Sequence, residues 1–130
     1  MVMVSQKKCL QKQNWFLHDN MKVTITSIEL KSIFKFFALS TYALSIVKQL
    51  KNSNYKGFKK QGFWTTHYTM TLWDNETDII DFYKSGAHLK AMKESKKIAK
   101  EIRSITIDSD TFPSWKEAKL LLEKGKVIKF

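Results

Sequence analysis

Residues 63–92 read FWTTHYTMTLWDNETDIIDFYKSGAHLKAM, and a change of period inside this run decides the fold. Up to Trp73 the side chains alternate, with Tyr68, Met70 and Leu72 on one parity and Thr65, Thr69 and Thr71 on the other. A two-residue period rich in β-branched and aromatic residues predicts a strand. Asp74 and Asn75 then offer side-chain oxygens to the free amides of a helix start, and Glu76 and Asp78 suit its positive first turn. A helix is predicted from about Glu76, with Ile79, Ile80, Phe82 and Tyr83 on its apolar side. Gly86 interrupts it, and a second helical segment is predicted over residues 87–101.

Working outward, the chain divides into two similar halves. Val23, Ile25 and Ser27 alternate with Thr24, Thr26 and Ile28, a first strand. Phe36, Leu39, Ala43, Ile46, Val47 and Leu50 recur every three to four residues, which predicts a helix over residues 32–51. Asn52, Ser53 and Asn54 end it, a short strand follows over residues 55–60, and Gln61-Gly62 reads as the turn before the third strand. A fourth strand is predicted over residues 103–108. Beyond Pro113, Ser114 and Glu117 form a capping box for a short last helix, with Gly125 suited to a left-handed end. The order β-α-β-β-α-β with right-handed crossovers gives an α+β, ferredoxin-like domain. Its four-stranded antiparallel sheet carries both helices on one face. That single domain is assigned to residues 21–130, with residues 1–20 expected to be a poorly ordered extension holding Cys9 and His18.

Composition agrees with one modest core: 130 residues, 43% hydrophobic and 13% aromatic, with 4 Gly and 1 Pro. The lone Cys9 cannot close an internal disulfide, and no zinc-type Cys/His spacing is present, so a reducing, cytoplasmic setting and no metal are expected. The net charge of +11 rests on 23 basic residues of which 22 are lysines. Lysine gives general attraction to anions, whereas base and phosphate recognition draws on the arginine fork, so a nucleic-acid partner is not expected. Residues 36–47 are uncharged but shorter than the ~20 residues of a membrane span, and no membrane partner is expected. Phosphate loops, H-E-x-x-H and G-x-S-x-G are all missing from the sequence.

Three strands share a pattern of one apolar and one Thr/Ser face. The apolar face, with Val23, Ile25, Tyr68, Met70, Leu72, Ile105 and Ile107, is expected to meet the helices. The threonine face is expected to stay open and dock a second copy's sheet, with His67, Phe63 and Trp73 on it. His88 is the candidate catalytic base or ligand: it opens the second helical segment on the stripe it shares with Ala91, Met92 and Ser95, where the helix dipole favours a neutral ring. Tyr68, Met70, Met92, Tyr42, Trp73 and His67 complete the candidate pocket. Tyr83, Trp64 and Trp115 are read as core or rim aromatics.

Trp73 closing strand three, an acidic helix start, Phe82, then Ser85-Gly86-Ala87-His88 and Met92 resemble the core of the dimeric α+β barrel superfamily. Within it the chain is similar to the spheroidene monooxygenase-like and antibiotic-biosynthesis-monooxygenase groups, over about residues 22–108. The resemblance implies a homodimer with a pocket between each sheet and its helices. It implies a small apolar or aromatic ligand, and either a monooxygenase-like oxidoreductase or a non-catalytic ligand-binding or sensing dimer. In similar haem-handling barrels a histidine on the second long helix ligates iron and a tryptophan ends strand three, positions that fall on His88 and Trp73. The cofactor is therefore left open, with haem as the named candidate.

Overall fold

The alternation at residues 22–30 and 66–73 forms the centre of a sheet. In the computed structural model, which describes residues 20–130, β1 (Lys22–Leu30) pairs antiparallel with both β3 (Thr66–Trp73) and β4 (Ala99–Asp108). β2 (Tyr55–Phe63) lies outside β3 and β5 (Lys126–Lys129) outside β4, so the order is β2-β3-β1-β4-β5. A 3₁₀ turn at Ile33–Lys35 leads into α1 (Phe36–Lys51), and α2 (Glu76–Tyr83), α3 (Gly86–Glu94) and α4 (Trp115–Leu122) follow. Residues 1–19, including Cys9 and His18 and nearly all of the expected extension, lie outside the described residues.

Local signals place several boundaries. Asn75 Oδ1 accepts the Asp78 N–H at 2.9 Å and starts α2, and Ser114 Oγ accepts the Glu117 N–H at 3.1 Å and starts α4. Gly86 has φ +63, in the left-handed region, and separates α2 from α3 as its sequence position predicts.

Register stacks like on like across the three central strands. Ile25 faces Met70 and Ile105, while Thr24 faces Thr71 and Thr106. The sheet therefore has one aliphatic face and one hydroxyl-rich face, as the alternation predicts, but the layers covering them are the reverse of the expectation. α1, α2 and α3 cover the threonine face, where Trp73, Leu50, Ile79 and Phe82 form one core cluster and Leu30, Ile98, Ala99 and Ile102 another. The aliphatic face, with Val23, Ile25 and Met70 fully buried and Tyr68, Leu72, Ile105 and Ile107 beside them, is packed against Ala118 and Leu122 of α4. The amphipathic tail helix claims the Val/Ile surface, which leaves the smaller threonines beneath the long helices.

Three boundaries also differ. β2 runs on to Phe63, and the turn falls after it, with Trp64 at φ 56. The α-helix ends at Glu94, a 3₁₀ turn at Ser95–Lys97 follows, and β4 begins at Ala99, which pairs with Leu30 across an irregularity in register. Lys126–Lys129 adds a fifth strand by pairing with residues 101–104. Gly125 does not hold a left-handed φ; a Cβ there would strike the backbone of Ser104, so glycine permits the close approach that starts β5.

Candidate functional site

Threonines fill less space than the Val/Ile face opposite, and the helices bridging them leave a cavity of about 200 Å³. Thr26, Thr69 and Thr71 form its floor; Leu39, Tyr42, Ile46 and Leu50 of α1 form one wall; Tyr83, His88, Ala91 and Met92 of α2 and α3 form the other. Met92 is 41% exposed and stands at the rim.

The break between α2 and α3 positions His88. A helix end and a helix start meet here, each with backbone groups lacking an intrahelical partner. Gln49 of α1 satisfies both with one amide. Its Nε2 donates to the carbonyls of Phe82 (3.0 Å) and Ser85 (2.9 Å), and its Oε1 accepts the His88 N–H at 2.7 Å. A Cβ on Gly86 would lie 3.1 Å from the Gln49 side chain, so glycine serves both the left-handed φ and this close approach. Gln49→Ala leaves the Phe82 carbonyl and the His88 amide short of a partner, while the Ser85 carbonyl keeps the Leu89 N–H at 3.5 Å, an expected cost of about 1–3 kcal/mol in chemical denaturation. The same variant is expected to speed hydrogen exchange at the His88 amide relative to the α1 amides.

The His88 imidazole stacks on Tyr83 (4.6 Å between centroids) and leans on Phe82 (5.1 Å). Its Nδ1 is buried and has no hydrogen-bond partner. Burial drives the imidazole pKa down to about 4, so the ring is neutral at physiological pH. Beside it, burial raises the Tyr83 phenol above its ordinary value, and hydrogen bonds with the Thr24 and Thr26 side chains partly oppose the rise. The cavity thus presents a neutral imidazole, a neutral phenol and threonine hydroxyls within apolar walls.

Of the residues singled out in the sequence, His88, Tyr42 and Met92 line this one cavity. Trp73 is fully buried behind the cavity, its ring 5.3 Å from Phe82 and its indole N–H donating to Thr71 Oγ1 at 2.8 Å, so it buttresses two lining residues. Tyr68 and Met70 are on the opposite face, Tyr68 near Trp115 (6.4 Å) with the Lys119 ammonium over its ring. His67 shares the helix face but sits at its far end, stacked on Phe36 (5.4 Å) and donating from Nε2 to the Trp64 carbonyl (3.1 Å). Sequence reasoning passed over Tyr83, the threonine floor and Gln49. The threonine parity was visible, but the identity of its covering layer was not.

Haem does not fit this site. A cavity of about 200 Å³ is below the ~300–1,000 Å³ of pockets for drug-sized ligands, and a macrocycle against His88 would have to displace the α1 wall. Among the described residues no three His, Cys, Asp or Glu side chains are grouped to hold a metal ion.

No protein-family model matches the chain, and no curated protein matches it in sequence. Solved structures do match in shape. SnoaB, a cofactor-independent oxygenase from Streptomyces nogalater, superposes with a TM-score of 0.55 at 5% identity, covering 73% of this chain and 98% of its own. A putative antibiotic biosynthesis monooxygenase from Nitrosomonas europaea gives 0.58 at 12% identity, covering 69% and 90%. A dimeric protein of unknown function with a ferredoxin-like fold from Bacteroides fragilis gives 0.57 at 13% identity, covering 71% and 99%. With its β2-β3-β1-β4 core and helices crossing one face, this chain has a ferredoxin-like α+β fold similar to that of these solved structures.

Proposed function

We propose that the chain binds a small hydroxyaromatic molecule in the cavity beneath α1 and oxidises it with dioxygen without a bound cofactor. The observation that carries this reading is the buried, unpartnered Nδ1 of His88 on a wall that is otherwise almost wholly apolar. A buried polar atom without a partner is costly, and a ligand hydroxyl is the group that would relieve it.

The low basicity of His88 sets how it can act. Imidazolium is disfavoured in this setting unless an anion forms beside it, and proton transfer from a phenol or an activated ring carbon creates that anion in contact with the new cation. The resulting electron-rich anion reduces dioxygen directly. One oxygen atom becomes a quinone carbonyl, and the other leaves as water with the two hydrogens the substrate loses, one from the ring carbon and one from the hydroxyl of a phenol, or both from the methylene carbon of an anthrone. Tyr83 and the threonine floor supply hydrogen bonds that orient the ligand. The cofactor-independent oxygenase among the neighbours supports this choice of chemistry, and the dimeric neighbour supports a working homodimer.

Oxygen uptake and quinone formation with a panel of anthrones and hydroxynaphthalenes test the reading. Wild type is expected to turn over at least one of them, and His88→Ala to lose about 10²–10⁴-fold in rate, the usual contribution of a positioned base. The depressed imidazole pKa favours a second reading, binding without chemistry. Saturable binding of the panel with no oxygen consumed establishes that reading and excludes the first.

A further inference from the structure

The N-terminal end of α1 carries an apolar patch that the cavity does not use. Phe34 is 79% exposed, Phe37 75% and Trp64 65%, and Ile33 and Phe36 line one shallow surface depression with them. Isolated exposed apolar residues are ordinary, but aromatic rings contiguous across two chain segments mark a contact surface.

The charge around the patch identifies its partner. From Leu30 to Trp73 the chain has seven lysines and no Asp or Glu. Lys31 and Lys35 flank the 3₁₀ turn, and Lys60, opposite Thr69 in register, lies on the same sheet face as His67 at the edge of the depression. All three are exposed, and none has a carboxylate partner among the described residues. A second copy placed on this patch would bring two lysine-rimmed surfaces of a +11 chain together, and residues 1–20 are themselves net basic. A rim of free ammonium groups around protruding aromatic rings matches an anionic lipid surface, where rings enter the headgroup region and lysines meet lipid phosphates and carboxylates.

We infer that this chain docks on anionic membranes through Phe34, Phe37 and Trp64, with Lys31, Lys35 and Lys60 supplying the charge attraction. The contact is peripheral. Ile33–Lys51 is long and apolar enough to cross a bilayer, but its inner side forms the cavity wall through Leu39, Tyr42, Ile46 and Leu50, so a span would dismantle the domain.

The test is co-sedimentation of the full chain with vesicles of phosphatidylcholine alone or mixed with phosphatidylserine. Binding is expected only with phosphatidylserine and is lost in high salt. Lys31→Gln/Lys35→Gln/Lys60→Gln is expected to weaken binding roughly a hundredfold, and Phe34→Ser/Phe37→Ser by at least about tenfold. Circular dichroism of both variants is expected to match wild type, since all five side chains are exposed. No binding to mixed vesicles, equal binding to neutral ones, or salt-resistant binding that needs detergent to release overturns the proposal. A wild-type dimer that dissociates in Phe34→Ser/Phe37→Ser does so too, because it puts a second copy on the patch. None of these outcomes depends on turnover, so the membrane contact and the oxygenase reading fail separately.

Discussion

Trp73→Ala is expected to lower the stability of the domain by about 3–5 kcal/mol, the range for truncating a buried large aromatic. The indole is fully buried at the end of β3, clustered with Leu50 of α1 and Ile79 and Phe82 of α2, so truncating it opens a cavity among packed side chains. Its removal also leaves the Thr71 hydroxyl without the indole donor. A single domain is stable by only ~5–15 kcal/mol, so this variant stands close to unfolding at room temperature. Urea denaturation followed by circular dichroism measures the shift. Phe37→Ser, which changes an equally apolar but exposed ring, is the comparison and is expected to leave the midpoint within about 0.5 kcal/mol. A loss below about 1 kcal/mol for Trp73→Ala would mean that Phe82 collapses into the space, and that the cavity wall is softer than its packing indicates.

Acid is expected to destabilise the fold through His88. In the unfolded chain its imidazole takes up a proton near pH 6.5, whereas in the folded chain burial delays uptake to about pH 4. Between those values the unfolded state binds more protons, so stability falls as the pH is lowered through this window. Below about pH 4 the whole penalty is present, about 3 kcal/mol from a shift of roughly two and a half pH units. Above pH 6.5 the effect vanishes, because the ring is neutral in both states. The other titratable group in contact is the Tyr83 phenol, whose raised pKa keeps it neutral throughout. His88→Leu keeps an apolar side chain against Phe82 and Tyr83, and is expected to remove most of the decline between pH 6.5 and 4. Equal slopes in wild type and variant would show that water reaches the ring, and would remove the basis for a buried neutral imidazole. A bound phenol donating to Nδ1 stabilises the neutral form further, so ligand is expected to move the acid midpoint lower still.

Elements whose cause is local were legible before folding. The caps at Asn75 and Ser114 depend on side-chain oxygens within three residues of the amides they accept, and both form. The interruption at Gly86 depends on one residue's freedom to adopt φ +63. His88 and Met92 reach the same cavity because their four-residue spacing puts them on one face of α3, whereas Tyr42 is brought there by the packing of α1. The misjudged helix end has a non-local cause. Ile98 and Ile102 are spaced like neighbours on a helix, but the hydrogen bond of Lys31 to the Ile98 carbonyl and the pairing of Ala99 with Leu30 draw this segment into the sheet. The missed strand β5 exists only because Gly125 lets the chain pass close to Ser104.

The sequence by itself determined that there are strands with two unlike faces, helices broken at Gly86, and an α+β order that closes into a ferredoxin-like sheet. Each follows from side-chain periodicity or backbone conformation over a few residues. Only the tertiary structure decided which face meets which helices, and with it the site. An alternating strand is satisfied by burying either face, and that competition was settled by the Val/Ile surface packing on Ala118 and Leu122 of α4. The threonines thereby became the floor beneath α1, Tyr68 and Met70 were carried to the other side of the sheet, and Tyr83 and Gln49 came to stand beside His88.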